Sequence, residues 1–315
     1  MNYSIIVPTC NRKEDLVKLI DSILNQTVLP AEIIIIDQSE NDDTRKYLEG
    51  CKTHLLTMSN KINLIYRHQT KKSLVVARNE GIDIATGEIV SFLDDDVVLF
   101  EDYYEKVLNY FNADIKNGGV GGNIIVGNKA QDWKWKFRKA LLRLFLINNF
   151  DGKVTISGFG YPLVKGEIDR SLQIEMLSGC NMNFRKELLK NDKFDEWFTG
   201  YSFREDAEFS YRISRKTVLK MIPEAKLYHN QSRSNRMNIQ DQKVMEVKNY
   251  YYFYKKHTKK TTMSDFLFLY SLFGLSIIYF KEYLCSFNDE KYKQFKGFVE
   301  GIIKLLKYKN TILKK

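Results

Sequence analysis

Short apolar runs alternate with amphipathic stretches along the first hundred residues. A strand is predicted where apolar residues are continuous, and a helix where they recur every three or four positions. The predicted strands are 3–8, 32–37, 63–67 and 88–93, and the predicted helices are 14–25, 44–51 and 73–85. This strand–helix rhythm predicts a doubly wound α/β sheet with helices on both faces.

Polar residues follow three of these strands at the point where each strand stops. Pro8 and Thr9 end the first strand, Asp37 ends the second, and the aspartate triplet 94–96 follows the fourth. Ligands of open α/β sheets bind outside the carboxyl ends of the strands. Consecutive carboxylates repel one another unless a cation lies among them, and Mg²⁺ and Mn²⁺ prefer oxygen ligands. The triplet therefore predicts a metal site, with a solvated acidic turn as the alternative.

The pattern continues less regularly to about residue 240. Helices are predicted at 102–112, 132–150, 185–189 and 203–214, and strands or strand-and-loop segments at 118–127, 175–184, 216–222 and 224–229. The helix at 132–150 is basic and apolar and contains Trp133 and Trp135. The helix at 203–214 has acidic residues in its first turn, where the helix dipole favours them.

The character of the chain changes beyond residue 241. Residues 266–280 form an uncharged, mostly apolar run, which is shorter than the about 20 residues of a membrane-spanning helix. Positions 281–315 contain nine lysines against four acidic residues. An apolar helix beside lysines favours contact with an anionic membrane surface. We therefore expect 241–315 to be a basic, aromatic, partly apolar helical region that associates with membranes, with an ordinary buried helix as the alternative.

Composition and charge narrow the class of protein further. The chain has 315 residues, of which 44% are hydrophobic and 28% charged, so it is neither disordered nor collagen-like. Its net charge of +10 suits an anionic partner. The four cysteines have no CxxC spacing, and the amino terminus lacks the pattern of a signal peptide. We therefore expect a cytoplasmic protein at the inner face of the cell membrane.

Five segments in order along the chain resemble the family 2 inverting glycosyltransferases, which have the GT-A fold. They are 4–12 (SIIVPTCNR), 33–43 (IIIIDQSENDD), 76–96 (VARNEGIDIATGEIVSFLDDD), 177–189 (LSGCNMNFRKELL) and 203–213 (FREDAEFSYRI). The resemblance covers about residues 1–230. It implies a catalytic domain at 1–240, with a nucleotide-sugar-binding half at 1–100 and an acceptor-binding half at 101–240.

The resemblance also implies a donor site. Its substrate would be a nucleoside-diphosphate sugar, with a UDP-sugar favoured by the family, bound together with Mn²⁺ or Mg²⁺. The implied donor contacts are Pro8, Thr9, Arg12, Asp37, Arg78, Asn79, Asp94 and Asp95. The implied metal ligands are Asp94, Asp96 and His229, and Arg233 and Arg236 are expected to neutralise phosphate.

Acceptor and catalysis follow from the same resemblance. Asp206 is the implied general base, which takes the proton of an acceptor hydroxyl as that hydroxyl attacks the anomeric carbon; such help contributes about 10²–10⁴-fold. Glu205 is its alternative, or orients the acceptor. The acceptor would be a glycan or a lipid-linked glycan. Its implied contacts are Gly179, Asn181, Trp133 and Trp135.

Three other functions compete with this interpretation. A nucleotidyltransferase also combines an α/β sheet with metal-binding acids, but the chain has no glycine-rich phosphate loop with a lysine near its start. A nucleic-acid-binding module fits the positive charge, yet the aromatic signature of RNA-binding sheets is missing, so we expect no nucleic-acid partner. An inactive scaffold of the same family is disfavoured because the aspartate triplet and the Glu-Asp pair are both intact.

Overall fold

The described part of the chain folds into two units. The computed structural model describes residues 1–57, 62–125, 133–163, 168–198, 200, 202–230 and 237–308. The first unit comprises Met1–Asn128 and Pro162–Asn235, and the second comprises Lys129–Tyr161 and Arg236–Lys315. Residues 129–161 therefore group with the C-terminal region, whereas the sequence predicts them within an acceptor-binding half.

The first unit is built on one mixed β-sheet. Its strands are β1 (Tyr3–Thr9), β2 (Glu32–Asp37), β3 (Asn63–His68), β4 (Ile89–Leu93), β5 (Val97–Leu99), β6 (Asn117–Ile125), β7 (Leu172–Ile174), β8 (Asn181–Arg185) and β9 (Val218–His229). The order is β3-β2-β1-β4-β8-β6-β9-β5, with β7 paired to β9. The first four strands are mutually parallel, and β8 runs antiparallel to β4. The strand order reverses between β1 and β4, which is where ligands of such sheets bind.

The first unit also contains helices, and the second unit is helical. The helices are α1 (Lys13–Leu24), α2 (Asp43–Thr57), α3 (Leu74–Ile84), α4 (Tyr103–Ala113), α5 (Trp133–Leu144), α6 (Lys186–Leu189), α7 (Glu205–Ser214), α8 (Ile239–His257), α9 (Thr262–Ser286) and α10 (Asp289–Tyr308). The second unit contains α5, α8, α9 and α10. The α/β fold class with a helical, partly apolar C-terminal region is confirmed.

Strand β9 differs from its prediction. The sequence analysis divided it into a strand at 216–222 and a segment at 224–229, on either side of Pro223. The structure has one strand, in which Ile222 pairs with Gly122 of β6 and Lys226 pairs with Asn123. The residues between Ile222 and Lys226 form a bulge that contains Pro223. Proline is tolerated at a bulge because its missing N–H is not needed there, so the strand continues to His229.

The second unit has its own hydrophobic core. Buried aromatic and aliphatic residues of α8 pack against α9 and α10, and Gly274 of α9 lies so close to the Phe145 ring that no side chain would fit there. Helix α9 begins with a capping box formed by Thr261 and Ser264. Among the described residues it is the one helix long and apolar enough to cross a membrane, although 39% of its most apolar stretch is buried.

A buried carboxylate ties the first two strands to the turn before β4. Oε1 of Glu32 accepts hydrogen bonds from Ser4 Oγ (2.6 Å), Thr86 N (2.5 Å) and Thr86 Oγ1 (2.9 Å). Burial alone would raise the pKa of Glu32, but these hydrogen bonds outweigh it and lower the pKa. The turn at residues 85–88 (ATGE) is therefore held in place by a residue far from it in sequence.

Glu32→Ala is expected to lower the free energy of unfolding by about 1–3 kcal/mol, because the buried Ser4 hydroxyl and two partly buried Thr86 donors lose their acceptor. Urea titration followed by circular dichroism measures the change. Glu88→Ala is the matched control, since Glu88 is exposed. An equal effect of both substitutions would contradict a role for the buried network.

Candidate active site

The aspartate triplet meets the end of β1 at the edge where the strand order reverses. Asp95 accepts a hydrogen bond from Thr9 Oγ1 (2.8 Å) through Oδ2 and one from Arg12 Nη1 (3.1 Å) through Oδ1. Arg12 Nη1 also lies 3.7 Å from Asp96 Oδ2. These contacts bring together four residues that the sequence predicted to share a site, and they join β1 to the segment after β4.

Arg78 lies at the centre of the carboxylate groups and is only 1% exposed. Its Nη1 is 2.8 Å from Glu205 Oε1, and its Nη2 is 3.1 Å from both Asp94 Oδ1 and the carbonyl oxygen of Gly179. A Cβ on Gly179 would come within 2.8 Å of Nη2, so only glycine fits there. Arg78 therefore connects the aspartate triplet to α7 and to the loop before β8.

Helix α7 presents its two acidic residues in different surroundings. The residue before the helix, Arg204, has a left-handed backbone with φ of 75°, a conformation that usually requires glycine. Glu205 is buried against Arg78, whereas Asp206 is half-buried. Asp206 accepts hydrogen bonds from the backbone N–H of Gly179 (2.8 Å) and of Ala207 (2.7 Å). Two backbone donors thus orient a carboxylate that is still accessible, as a general base requires.

Possible metal ligands from other segments lie close to Asp94 and Asp96 of the triplet. Oxygen, sulfur and nitrogen atoms of Asp94, Cys180 and His229 lie within 4.8 Å of one another. Residue Val97 of β5 pairs with His229, and this pairing brings His229 Nε2 to 3.1 Å from Asp96 Oδ1. Two carboxylates and an imidazole suit a divalent cation such as Mn²⁺. The Cys180 thiol is a soft ligand that neither Mn²⁺ nor Mg²⁺ prefers, but the other three side chains fit the predicted metal.

Five carboxyl groups, those of the aspartate triplet, Glu205 and Asp206, lie around three cationic side chains in this cluster. Burial and neighbouring acids outweigh Arg12 and raise the pKa of Asp95 to about 7, and burial with the nearby Asp206 raises the pKa of Glu205 to about 8. Burial alone would lower the pKa of His229, but hydrogen bonds to Asp96 and Cys180 raise it to about 11. A divalent cation would offset the excess of carboxylate charge.

Asp37, one of the predicted donor contacts, lies next to this cluster in the sheet. Asp37 ends β2 and pairs in register with Thr9 of β1, one position after the buried Pro8. The Asp37 carboxylate is fully buried and accepts hydrogen bonds from the Ser39 N–H (2.9 Å) and the Tyr66 hydroxyl (3.1 Å). Tyr66 was not among the predicted site residues, and nothing in its local pattern distinguished it from a strand tyrosine.

Two predicted site residues hold the framework together. Asn79 forms a pair of hydrogen bonds with the backbone of Phe194, at 3.0 Å and 2.8 Å. Asn181 accepts from the Tyr103 hydroxyl (2.5 Å) and exchanges hydrogen bonds with the backbone of Gly122. Both asparagines are buried. The Asn79 amide therefore fixes the loop at Phe194, and the Asn181 amide fixes strand β6. Both asparagines thus act on the site by positioning its backbone.

Trp133 and Trp135 belong to α5 of the second unit, where Trp133 is 71% exposed and Trp135 packs against Phe150. Arg233 and Arg236 lie outside the described residues. Cys180 is buried and lies near His229, which the sequence does not show because the two residues are 49 positions apart.

Residues 4–191 match the model of Glycosyl transferase family 2, which is more than half of the chain. The protein therefore belongs to glycosyltransferase family 2, and it is a transferase with the GT-A fold. This membership favours the glycosyltransferase interpretation over the nucleotidyltransferase and nucleic-acid-binding alternatives.

Individual relatives agree with the family. The GalNAc(5)-diNAcBac-PP-undecaprenol beta-1,3-glucosyltransferase of Campylobacter jejuni is 28% identical over 200 residues, which are 62% of this chain and 56% of that protein. The chain thus covers little more than half of this relative's length. TarS residues 1–349 of S. aureus, in complex with UDP-GlcNAc, superpose with a TM-score of 0.60 over 96% of this chain and 81% of theirs, at 14% identity. The mannosyltransferase PcManGT of Pyrobaculum calidifontis, in complex with GDP-Man and Mn²⁺, gives 0.58 over 98% and 88%, at 13% identity.

Glu205→Gln is expected to weaken the pH dependence of stability. Between its ordinary value near 4.5 and its folded value of about 8, Glu205 keeps a proton in the folded protein that the unfolded chain has released. Stability therefore falls as the pH rises through this window, and an amide removes that loss, which is on the order of a few kcal/mol. Urea titrations at about pH 5 and about pH 8 measure it.

The control for this pH experiment is Glu187→Gln, because Glu187 is exposed on α6. Its pH dependence should match that of the wild type. If both variants follow the wild type, Glu205 does not hold a proton in the folded protein at neutral pH.

Proposed function

We propose that the protein is a metal-dependent inverting glycosyltransferase that moves a sugar from a nucleoside-diphosphate sugar to a hydroxyl of a glycan or lipid-linked acceptor. One observation carries the proposal, and it concerns the backbone of Gly179. The half-buried Asp206 accepts a hydrogen bond from the Gly179 N–H, and the Gly179 carbonyl oxygen accepts one from Arg78. Arg78 also forms an ion pair with Asp94. The candidate general base Asp206 is therefore linked to the candidate donor site at Asp94 through Gly179 and Arg78.

The proposed chemistry is a single displacement. Asp206 takes the proton of the acceptor hydroxyl as that oxygen bonds to the anomeric carbon. The bond from this carbon to the donor phosphate breaks, and the nucleoside diphosphate leaves with the electron pair. Attack opposite the leaving group inverts the anomeric carbon. The Glu205 carboxyl group accepts a hydrogen bond from Arg78, so we assign Glu205 to holding Arg78 in place.

The donor end of the site has the matching chemistry. Asp94, Asp96 and His229 would hold Mn²⁺ or Mg²⁺, and the ion supplies charge stabilisation for the departing diphosphate. Thr9, Arg12 and Asp95 line the same edge beside Asp37, where we expect the nucleoside. The UDP-GlcNAc bound to TarS and the GDP-Man and Mn²⁺ bound to PcManGT support such a donor and metal.

The acceptor and location are proposed together. The Campylobacter relative is named for an undecaprenol-linked glycan, which supports a lipid-linked acceptor for this chain. We expect residues 1–240 to contain the catalytic machinery and 241–315 to keep the protein at the inner, cytoplasmic face of the cell membrane. The lysine excess after residue 281 suits the anionic lipids found there.

Asp96→Ala is expected to weaken metal-dependent nucleotide binding about tenfold or more, because the variant loses a carboxylate ligand of the ion. Calorimetric titration of UDP, GDP, dTDP and CDP, each with and without Mn²⁺, measures the effect and identifies the nucleotide. Asp83→Ala, at an exposed position on α3, is the control. Unchanged Mn²⁺-dependent binding by Asp96→Ala would remove Asp96 from the metal site.

Asp206→Asn is expected to keep donor binding and to lower transfer by about 10²–10⁴-fold, because an amide cannot accept the acceptor proton. Transfer is measured with the nucleotide sugar selected by calorimetry and a bacterial lipid extract as the acceptor source. If Asp206→Asn loses donor binding as severely as Asp96→Ala, or transfers sugar at the wild-type rate, Asp206 is not the base.

A further inference from the structure

Helix α9 is apolar on both of its faces. One face carries Phe268, Leu272, Leu275 and Ile278, which are buried in the core of the second unit. The opposite face is exposed and also apolar. Its exposed side chains are Met263, Phe266, Leu269, Phe273, Ile277, Phe280 and Leu284, followed by Phe287 at the end of the helix.

These exposed side chains form a continuous stripe. Successive members are three or four positions apart, so all of them project from one side of the helix. Phe266 and Phe273 are each 62% exposed, and no charged residue occurs from 266 to 280. Soluble proteins rarely leave so extended an apolar surface open to water, so the stripe indicates a surface that another apolar phase covers.

Helix α5 extends this surface sideways. It runs alongside α9 in the opposite direction, because Arg138 Nε is 2.7 Å from Glu282 Oε1 and the Leu144 carbonyl accepts from the Tyr270 hydroxyl at 3.2 Å. Lys281, at the border of the α9 stripe, places its Nζ 3.8 Å from the centre of the Phe137 ring. The exposed residues Trp133, Phe137 and Leu144 of α5 recur at helical spacing on one side of that helix. We call the two stripes together the α5–α9 face.

Positive charge borders the α5–α9 face. Helix α5 contains five basic residues and no acidic one, and Lys134, Lys136 and Arg143 are exposed. Lys259 and Lys260 are exposed just before α9. An apolar surface that contains tryptophan and phenylalanine and is bordered by lysine and arginine is complementary to an anionic lipid surface. Two copies of the chain would bring like charges together if they associated through this face.

We infer that the α5–α9 face docks onto an anionic lipid bilayer, with α9 lying in the plane of the interface. A spanning position for α9 is incompatible with its core-facing side, where Ser264 and Ser271 are buried within the protein. The inference deepens the membrane location proposed above by assigning its surface, and it gives Trp133 a lipid contact in place of an acceptor contact.

Sedimentation with sucrose-loaded vesicles tests the inference. The full chain is mixed with vesicles of phosphatidylcholine alone or with about 30% phosphatidylglycerol. We expect binding to the anionic vesicles, reduced about tenfold or more by Phe266→Ser with Phe273→Ser, and similarly by Trp133→Ser with Phe137→Ser. Lys134→Glu with Lys136→Glu should reduce binding to anionic vesicles. Ile115→Ser is the matched control, since Ile115 is 74% exposed on the first unit.

Three results would overturn the inference. In the first, both apolar double variants bind vesicles as strongly as the wild type does. In the second, the wild type does not bind vesicles at all. In the third, light scattering shows a wild-type dimer that Phe266→Ser with Phe273→Ser converts to a monomer. All substituted side chains are exposed, and circular dichroism melting checks that each variant is folded. Nucleotide binding by the same samples separates the two proposals: a protein that binds nucleotide but not vesicles contradicts only the docking surface, and the reverse contradicts only the donor site.

Discussion

The ion pairs and hydrogen bonds of the buried Arg78 guanidinium are the interactions on which the candidate active site depends. Taking a charge out of water costs several kcal/mol, and here that cost is offset by Asp94, Glu205 and the carbonyl oxygen of Gly179. These partners come from the end of β4, the start of α7 and the loop before β8. One side chain therefore fixes the relative positions of three segments that are distant in sequence, and the absence of a side chain on Gly179 is what lets it do so.

The same arrangement gathers more carboxyl groups than cationic side chains at the site. Two guanidinium groups, from Arg12 and Arg78, and the imidazole of His229 face the aspartate triplet and the Glu-Asp pair. Burial is the largest cause of the raised pKa values of Asp95 and Glu205, and the neighbouring acids Asp96 and Asp206 add to it. Closely spaced, buried carboxyl groups with shifted pKa values are typical of functional positions.

The second unit obeys a different constraint. Helix α9 must satisfy a protein core on one side and leaves aromatic side chains exposed on the other. A helix of this kind is stable in water only because its buried half packs well, and it gains further stabilisation where its exposed half meets an apolar phase. With the lipid-linked acceptor proposed above, a lipid surface at this unit would bring acceptor and enzyme to the same two-dimensional surface.

Much of this protein was determined by local sequence alone. Continuous apolar runs predicted strands β1 to β4, and the triplet and the Glu-Asp pair were found as motifs because each is contiguous in the chain. The tertiary structure decided which distant residues meet: the place of Arg78 among acids, Cys180 beside His229, and α5 alongside α9. Periodicity reports which side of an element is buried, but a contact between elements depends on the packing of the whole core, which no local window contains.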